Sequence, residues 1–330
     1  MPNVMQLRGD IGEVGETFWL VDSNYRTQAQ GWFRSDRTGP GDLYVERHRQ
    51  NAGGATYQYV FNTTEYASDA AAAQALIDAM VDYRGDKALL TPGAYSIGTA
   101  LTMNVPNMRW MGPRRTHPKA GVVTVTATVD AAYTISEDDI EVAHHTLVPL
   151  TATNTLDLSS GADRGHLHHL YWNAAGVTGS TSTEFCNGTT NVDWLVEDCV
   201  FYADAAQGDA FTLASSQRWM WQDCEFYVGL TTTAWASVMT FTTSALGNII
   251  RRSTFRGCGG STPAVFTNLI TGVANVNGQL MFIASYVDGT ALSTASAIET
   301  TFGTTTDIEI ADVMQTGDAT AEGGVLIALA

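Results

Sequence analysis

The feature that most limits how this chain can fold is a repeat. Residues 192–202 read VDWLVEDCVFY, and 25 positions on, residues 217–227 read QRWMWQDCEFY. Each stretch runs Trp, two apolar residues, two polar residues, Cys, any residue, Phe. The pattern extends beyond these two copies. Trp172, Phe201, Phe226, Phe255, Val287 and Val313 serve as a ruler, with spacings of 29, 25, 29, 32 and 26 residues. Two positions before each stands Leu170, Cys199, Cys224, Ser253, Ser285 or Ala311. Five before stands Leu167, Val196, Trp221, Ile250, Phe282 or Ile308. Between those columns lie His168–His169, Glu197–Asp198, Gln222–Asp223, Arg251–Arg252, Ile283–Ala284 and Glu309–Ile310, and four of the six pairs are fully polar.

A physical reading follows. A short strand packs inward, the chain bends with two residues facing out, and a second strand packs inward again. Small residues after the bend suit a tight corner. Stacking such coils buries a continuous column that no single coil buries alone. The uneven period excludes a strict hexapeptide or nonapeptide helix. A propeller blade needs about 40–45 residues, and a jelly roll gives no in-register columns. The expected fold is therefore all-β, a right-handed parallel β-helix, over residues 63–330.

Composition agrees. Charged residues make up 15% of the 330, against about 25% in an average globular chain. Apolar residues make up 45%, enough for a large core. The formal net charge of −17 shows no basic face, so no nucleic acid is expected as a partner. No apolar run reaches the roughly 18 residues of a membrane span, so no membrane partner is expected either. The start, MPNVMQLRGDIGEVGE, has no basic segment followed by an apolar run, so a secretory signal is not expected. Cys186, Cys199, Cys224 and Cys258 are accordingly read as free buried thiols.

Residues 1–62 differ from the rest. They interleave Phe18, Trp19, Tyr25, Trp32, Phe33, Tyr44 and other aromatics with Arg and Gly, and read as an arm or small subdomain of short strands. Next, SDAAAAQALIDAMVDYRGDK reads as the one helix. Ser68 is its N-cap, Asp69 sits in the first turn, Ala72, Leu76, Met80 and Tyr83 share a face, and Gly85 is the stop. From Ala88 onward the chain reads as short strands and frequent turns.

Two features carry a resemblance. AAAQALIDAM…GDKALLTPGAYSIGTALTM…VPNMRWMG is similar to the capping helix and first coil of the pectate-lyase-like β-helix superfamily, and WLVEDCVF, WMWQDCEF and IIRRSTF resemble its rungs. That superfamily holds lyases, hydrolases, epimerases and virion proteins. With its short aromatic arm the chain most resembles the bacteriophage virion branch. The resemblance implies a homotrimeric decoration protein on the outer capsid surface, with the major capsid protein or another virion protein as partner. The alternative is a tail-spike or head-fibre protein that binds or cleaves host glycan. The apolar ending EGGVLIALA fits two accounts, a tail folded over the last coil or cover supplied by another subunit.

No residue set announces chemistry. His144, His145, His166, His168 and His169 cluster, with the two adjacent pairs 24 residues apart. Neighbours on a strand face opposite ways, so no metal site is expected, and no cofactor. Glu197, Asp198, Asp223 and Glu225 fall at bends. Asp198 and Asp223 stand one rung apart, close enough for paired carboxylates, but with Arg251 and Arg252 beyond them the column reads as a surface salt-bridge ladder. The superfamily's calcium aspartates and catalytic arginine have no residue-by-residue match, so no catalytic residue is named. FRGCGG (255–260) is a turn and not a phosphate loop, since no Lys-Ser/Thr follows. The candidate partner-binding residues are Phe18, Trp19, Trp32, Phe33 and Tyr44, because aromatics anchor interfaces.

Overall fold

The computed structural model is a parallel β-helix, as expected. It describes residues 66–90, 92–114, 117–120, 122–150, 154–175, 184–203, 208–229, 235–257, 266–272, 277–288, 296–299, 307–316 and 325–327, and within residues 1–65 the strands 5–6, 20–21, 27–28, 42–44, 47–49 and 55–62.

Each rung contributes one strand to each of three parallel sheets. The first sheet runs from Lys87–Leu90 to Asp307–Ala311, the second from Gly93–Ile97 to Met314–Thr316, the third from Leu101–Met103 to Val325–Ile327. Among the described residues the second and third sheets have nine strands each. The register confirms most of the ruler. Trp172 pairs with Phe201, Phe201 with Phe226, Phe226 with Phe255, and Phe255 with Val287. It also extends the column backward through Leu147 and Val125 to Tyr95.

The last rung corrects the reading. Val287 pairs with Gln315, not Val313, and Phe282 pairs with Ile310, not Ile308. The cause is the position of the bend. Asp312 is the left-handed residue there (φ 52°), so Val313 occupies the small-residue column after the bend. An apolar ruler cannot see a polar residue such as Gln315 at the register position of Val287.

In-register stacking makes the core. Stacked strands lie about 4.7–4.9 Å apart. The rings of Phe201, Phe226 and Phe255 repeat that spacing, with centroids 4.8 Å apart and interplanar angles of 14° and 4°. Trp194 stacks on Trp219 at 5.4 Å, and Trp219 on Trp221 at 5.4 Å. Each such pair contributes about 0.5–1.5 kcal/mol beyond area burial. Space for one indole comes from a glycine: a Cβ at Gly165 would lie 2.2 Å from the Trp194 ring.

The helix α1, Asp69–Asp78, closes the N-terminal end. Ser68 caps it, its hydroxyl accepting from Ala71 N at 3.1 Å. Ala72 and Leu76 are buried, as expected. The helix stops earlier than the sequence suggested. Tyr83 is 73% exposed with φ 55°, so it lies beyond the helix and not on its buried face. α1 also satisfies open sheet edges. The Gln74 amide accepts from Thr102 N at 2.8 Å and donates to Thr102 O at 3.2 Å, imitating a neighbouring strand. Asp69 accepts from Ser96 N at 2.7 Å. Two strands inside residues 1–62 extend the first sheet: Asp42–Tyr44 and Ala55–Asn62 both pair with Lys87–Leu90. At the other end, Val325–Ile327 pairs with Ser296–Glu299, so part of the apolar ending is a rung strand.

The stacking account sets an expected pair of variants. Phe226→Ala removes the middle ring of a stacked column and should lose about 3–5 kcal/mol. Gly165→Ala drives a methyl into Trp194 and should lose about 1–3 kcal/mol. Urea unfolding followed by tryptophan fluorescence measures both; unchanged midpoints would show that the column is not packed as described.

Candidate functional site

Every first-sheet strand from Glu141–Ala143 on ends in a left-handed bend. The bend residues are His144, His169, Asp198, Asp223, Arg252, Ala284 and Asp312, with φ between 48° and 62°. Left-handed backbone is costly for L-residues, though Asp, Asn and His tolerate it best. The offset is a hydrogen bond. His169 N donates to Glu197 O at 3.1 Å, Asp198 N to Gln222 O at 3.1 Å, and Asp223 N to Arg251 O at 3.2 Å, each one rung on. The ladder therefore runs through the corner without a break.

The residue after the bend explains the small-residue column. Its side chain turns back to the carbonyl two residues earlier. Cys199 Sγ reaches Glu197 O at 3.3 Å and Cys224 Sγ reaches Gln222 O at 3.4 Å. Ser253 Oγ reaches Arg251 O at 3.1 Å and Ser285 Oγ reaches Ile283 O at 2.9 Å. His145 does the same from the same column, donating Nδ1–H to Ala143 O at 2.9 Å. That leaves His145 Nε2 to accept from the Tyr133 hydroxyl at 3.1 Å, which itself accepts from Trp110 Nε1 at 3.3 Å. Cys186, Cys199 and Cys224 are free and buried, as expected; Cys258 lies outside the described residues. Burial pushes the Cys186 and Cys224 thiols well up, which disfavours the reactive thiolate.

Outward side chains at the corners form ladders. Arg252 holds Asp223 through two bonds of 2.8 and 2.6 Å, which keep that carboxyl low. Gln222 donates to Glu197 at 2.8 Å and accepts from Arg251 Nε at 2.7 Å. At the opposite corner of the first sheet, Arg218 grips Asp193 at 2.6 and 2.8 Å, and Arg164 reaches Asp139 at 2.9 Å and Asp138 at 2.6 Å. Among the described residues the salt-bridge ladder expected at Asp223 and Arg252 is therefore present. The second ladder escaped the sequence reading, although Asp139, Arg164, Asp193 and Arg218 alternate in sign at rung spacing.

The histidines correct an expectation. His168 and His169 do not point apart: their Nδ1 atoms are 3.0 Å from each other. His169 is left-handed (φ 52°), and that turn breaks the strand's alternation of faces. His144, at the bend one rung earlier, brings its ring within 5.0 Å of His168 and 4.7 Å of His169. Carboxylates surround the group. His168 Nε2 lies 2.9 Å from Glu141 Oε1, His166 Nε2 lies 3.3 Å from Glu197, and His169 Nε2 lies 3.8 Å from Asp198. Burial works to raise Glu141, but the His168 hydrogen bond and the charges of Arg109, His168 and His166 outweigh it and hold the carboxyl low. Burial, with the charge of His168, lowers His166.

Beside this group lies a pocket of about 120 Å³ lined by His117, Pro118, His169, Asp198, Cys199, Val200, Asp223 and Glu225. Its two bend aspartates are pushed opposite ways. Burial raises Asp198, and Arg252 lowers Asp223. Lys119 stands over the Tyr227 ring at 3.9 Å and the Tyr171 ring at 5.8 Å. Phe18, Trp19, Trp32 and Phe33 lie outside the described residues, and of Tyr44 only the backbone is described, in the strand Asp42–Tyr44.

Comparison with known proteins shows the fold. No protein-family model matches the chain, and no curated protein matches it. Among solved structures, it is similar to a pectin methylesterase variant in complex with a hexasaccharide, with 13% identity, a TM-score of 0.52, and coverage of 79% of this chain and 89% of that one. The rice weevil pectin methylesterase matches with 13% identity and a TM-score of 0.50, over 83% of this chain and 92% of that one. The Geobacillus virus E2 ORF18 protein matches at 9% identity over 94% of this chain and 69% of that one, but its TM-score of 0.36 carries no argument. These likenesses define the class as parallel β-helix proteins and leave the function open.

One carboxyl on the third sheet gives a pH prediction. Burial, with the charges of Asp209 and Asp130, raises Glu184 from 4.5 to about 7. The folded chain thus holds that proton more tightly than the unfolded chain. Its contribution to stability is complete below pH 4.5 and is lost as the pH rises through about 7. Glu184→Gln should gain about 1 kcal/mol at pH 8, allowing for solvent screening, and nothing at pH 4. Thermal unfolding at the two pH values checks this; an equal effect at both would remove the assignment.

Proposed function

We propose that the chain is a structural protein of a bacteriophage virion: a homotrimeric decoration protein held on the outer capsid surface through residues 1–62. The ladders carry this reading. Charged side chains at both corners of the first sheet are engaged with their own neighbours from rung to rung, as in Asp193–Arg218 and Asp223–Arg252. That is a use of charge that stiffens a rod. The net charge of −17 supports docking on a basic partner surface and keeps the protein away from nucleic acid. Phe18, Trp19, Trp32, Phe33 and Tyr44 supply aromatic anchors for the docking.

A second reading has its own observation. Asp198 and Asp223 line one pocket on neighbouring rungs with their pKa values pushed apart, the arrangement that divides acid and base roles between two carboxyls. A tail-spike or head-fibre protein that binds or cleaves host surface polysaccharide fits this, and a pectin methylesterase of the same fold binds a hexasaccharide.

Light scattering on the full-length protein and a pelleting assay with empty capsids separate the two. The decoration reading expects three chains of 35.4 kDa, about 106 kDa, that pellet with shells. A full-length Trp19→Ala/Trp32→Ala variant should stay in the supernatant. A monomer that ignores shells contradicts the reading. Release of sugar fragments from a capsule extract, abolished in Asp198→Asn, would establish the second one.

A further inference from the structure

We propose that His144, His168 and His169 form a binding site for one transition-metal ion of imidazole preference, with Zn²⁺ as the first probe. Their ligand nitrogens all lie within 4.8 Å of one another. The site spans two rungs: His144 is the bend residue of one, and His168 and His169 end the strand and make the bend of the next.

Two features go beyond proximity. The first is spacing. One ion holding two imidazole nitrogens at about 2.0–2.1 Å, at angles of about 90–110°, keeps them about 2.8–3.4 Å apart. His168 Nδ1 and His169 Nδ1 are already 3.0 Å apart. The second is the far side of each ring. His168 Nε2 lies 2.9 Å from Glu141 Oε1, and His169 Nε2 lies 3.8 Å from Asp198 Oδ2. His168, whose Nε2 is within hydrogen-bond distance of Glu141, keeps Nδ1 as the ligating atom, whereas the Asp198 carboxylate lies at ion-pair distance from His169. This is the carboxylate–histidine arrangement that orients metal-bound imidazoles.

The two carboxylates also offset the charge of a divalent ion held by neutral rings. His144 supplies the third nitrogen, which lies within 4.8 Å of the other two. His169 lines the pocket that also holds Asp198 and Asp223, so an ion enters from that side and keeps a position open toward it. Imidazole-rich sites take Zn²⁺, Cu²⁺ or Ni²⁺ in preference to Ca²⁺ or Mg²⁺. Loading ties two rungs together at their corner. A competing arrangement centres on His166, whose ring lies 4.3 Å from that of His168. It is disfavoured because the nitrogens of His144, His168 and His169 converge within 4.8 Å of one another and His168 Nδ1 is turned toward His169 Nδ1.

The test uses the full-length protein stripped of metal with a chelator. Titration calorimetry with Zn²⁺ at pH 7.5 should show one ion per chain, and Ca²⁺ should give no heat. His169→Ala should weaken Zn²⁺ binding at least tenfold while circular dichroism stays that of the wild type, and His166→Ala should leave binding unchanged. Should His169→Ala not fold, the wild-type Co²⁺ complex decides, through the number of histidines whose ring-proton NMR signals are paramagnetically shifted. Three shifted rings support the site. No Zn²⁺ binding, binding unchanged in His169→Ala, binding lost in His166→Ala, or fewer than three shifted rings overturns it.

Discussion

The hydrogen bond from each left-handed bend residue to the next rung holds this solenoid in shape. A coil of short strands must turn sharply at every corner, and a sharp turn normally leaves backbone N–H groups unpaired at a cost. Here the bend N–H of His169, Asp198, Asp223 and Arg252 each finds a carbonyl one rung on. The small side chain after the bend then satisfies a carbonyl two residues back, from Cys199 to Ser285. With both groups paired, the corner is as regular as the strands, and the buried Phe and Trp columns can stack in register.

The same corner sets what the outer surface can do. A left-handed residue turns its side chain out of the strand's alternation, so residues adjacent in sequence become neighbours in space. That places His168 beside His169, and it aligns Asp223 with Arg252 and Asp193 with Arg218 across rungs. Ladders and the histidine group are thus products of one backbone device. Where successive rungs alternate in charge the result is a ladder of ion pairs; where they bring histidines the result is a compact nitrogen cluster edged with carboxylates.

Much of this was legible in the sequence. The in-register columns from Trp172 to Val287 were visible because buried residues repeat wherever strands stack. The Ser68 cap was visible because capping is local chemistry. The last rung departs from the apolar ruler because a polar residue, Gln315, holds the register position of Val287. The helix end was misread because Tyr83 fits a helical face by spacing while its backbone is left-handed. For the site, the column of Asp198, Asp223 and Arg252 was found, but its αL geometry was not. Asp198 and Asp223, each just before a cysteine, were the available signal, and Asp is among the residue types that best tolerate that conformation. The histidine group is not legible from strand alternation, because that alternation stops at the left-handed His169. Residues that meet only because a carboxylate lies one rung away, such as Glu141 with His168, leave no local trace.

Hydrogen exchange of the bend amides tests the central claim most directly. NMR-detected exchange on the native protein would follow the N–H groups of His169, Asp198, Asp223 and Arg252 beside those of the core strands. Bend amides that exchange as slowly as their neighbours Val196 and Trp221 would show that the ladder continues through the corner. Bend amides that exchange within seconds, while Val196 and Trp221 stay protected, would contradict it and make the corners ordinary solvent-exposed turns.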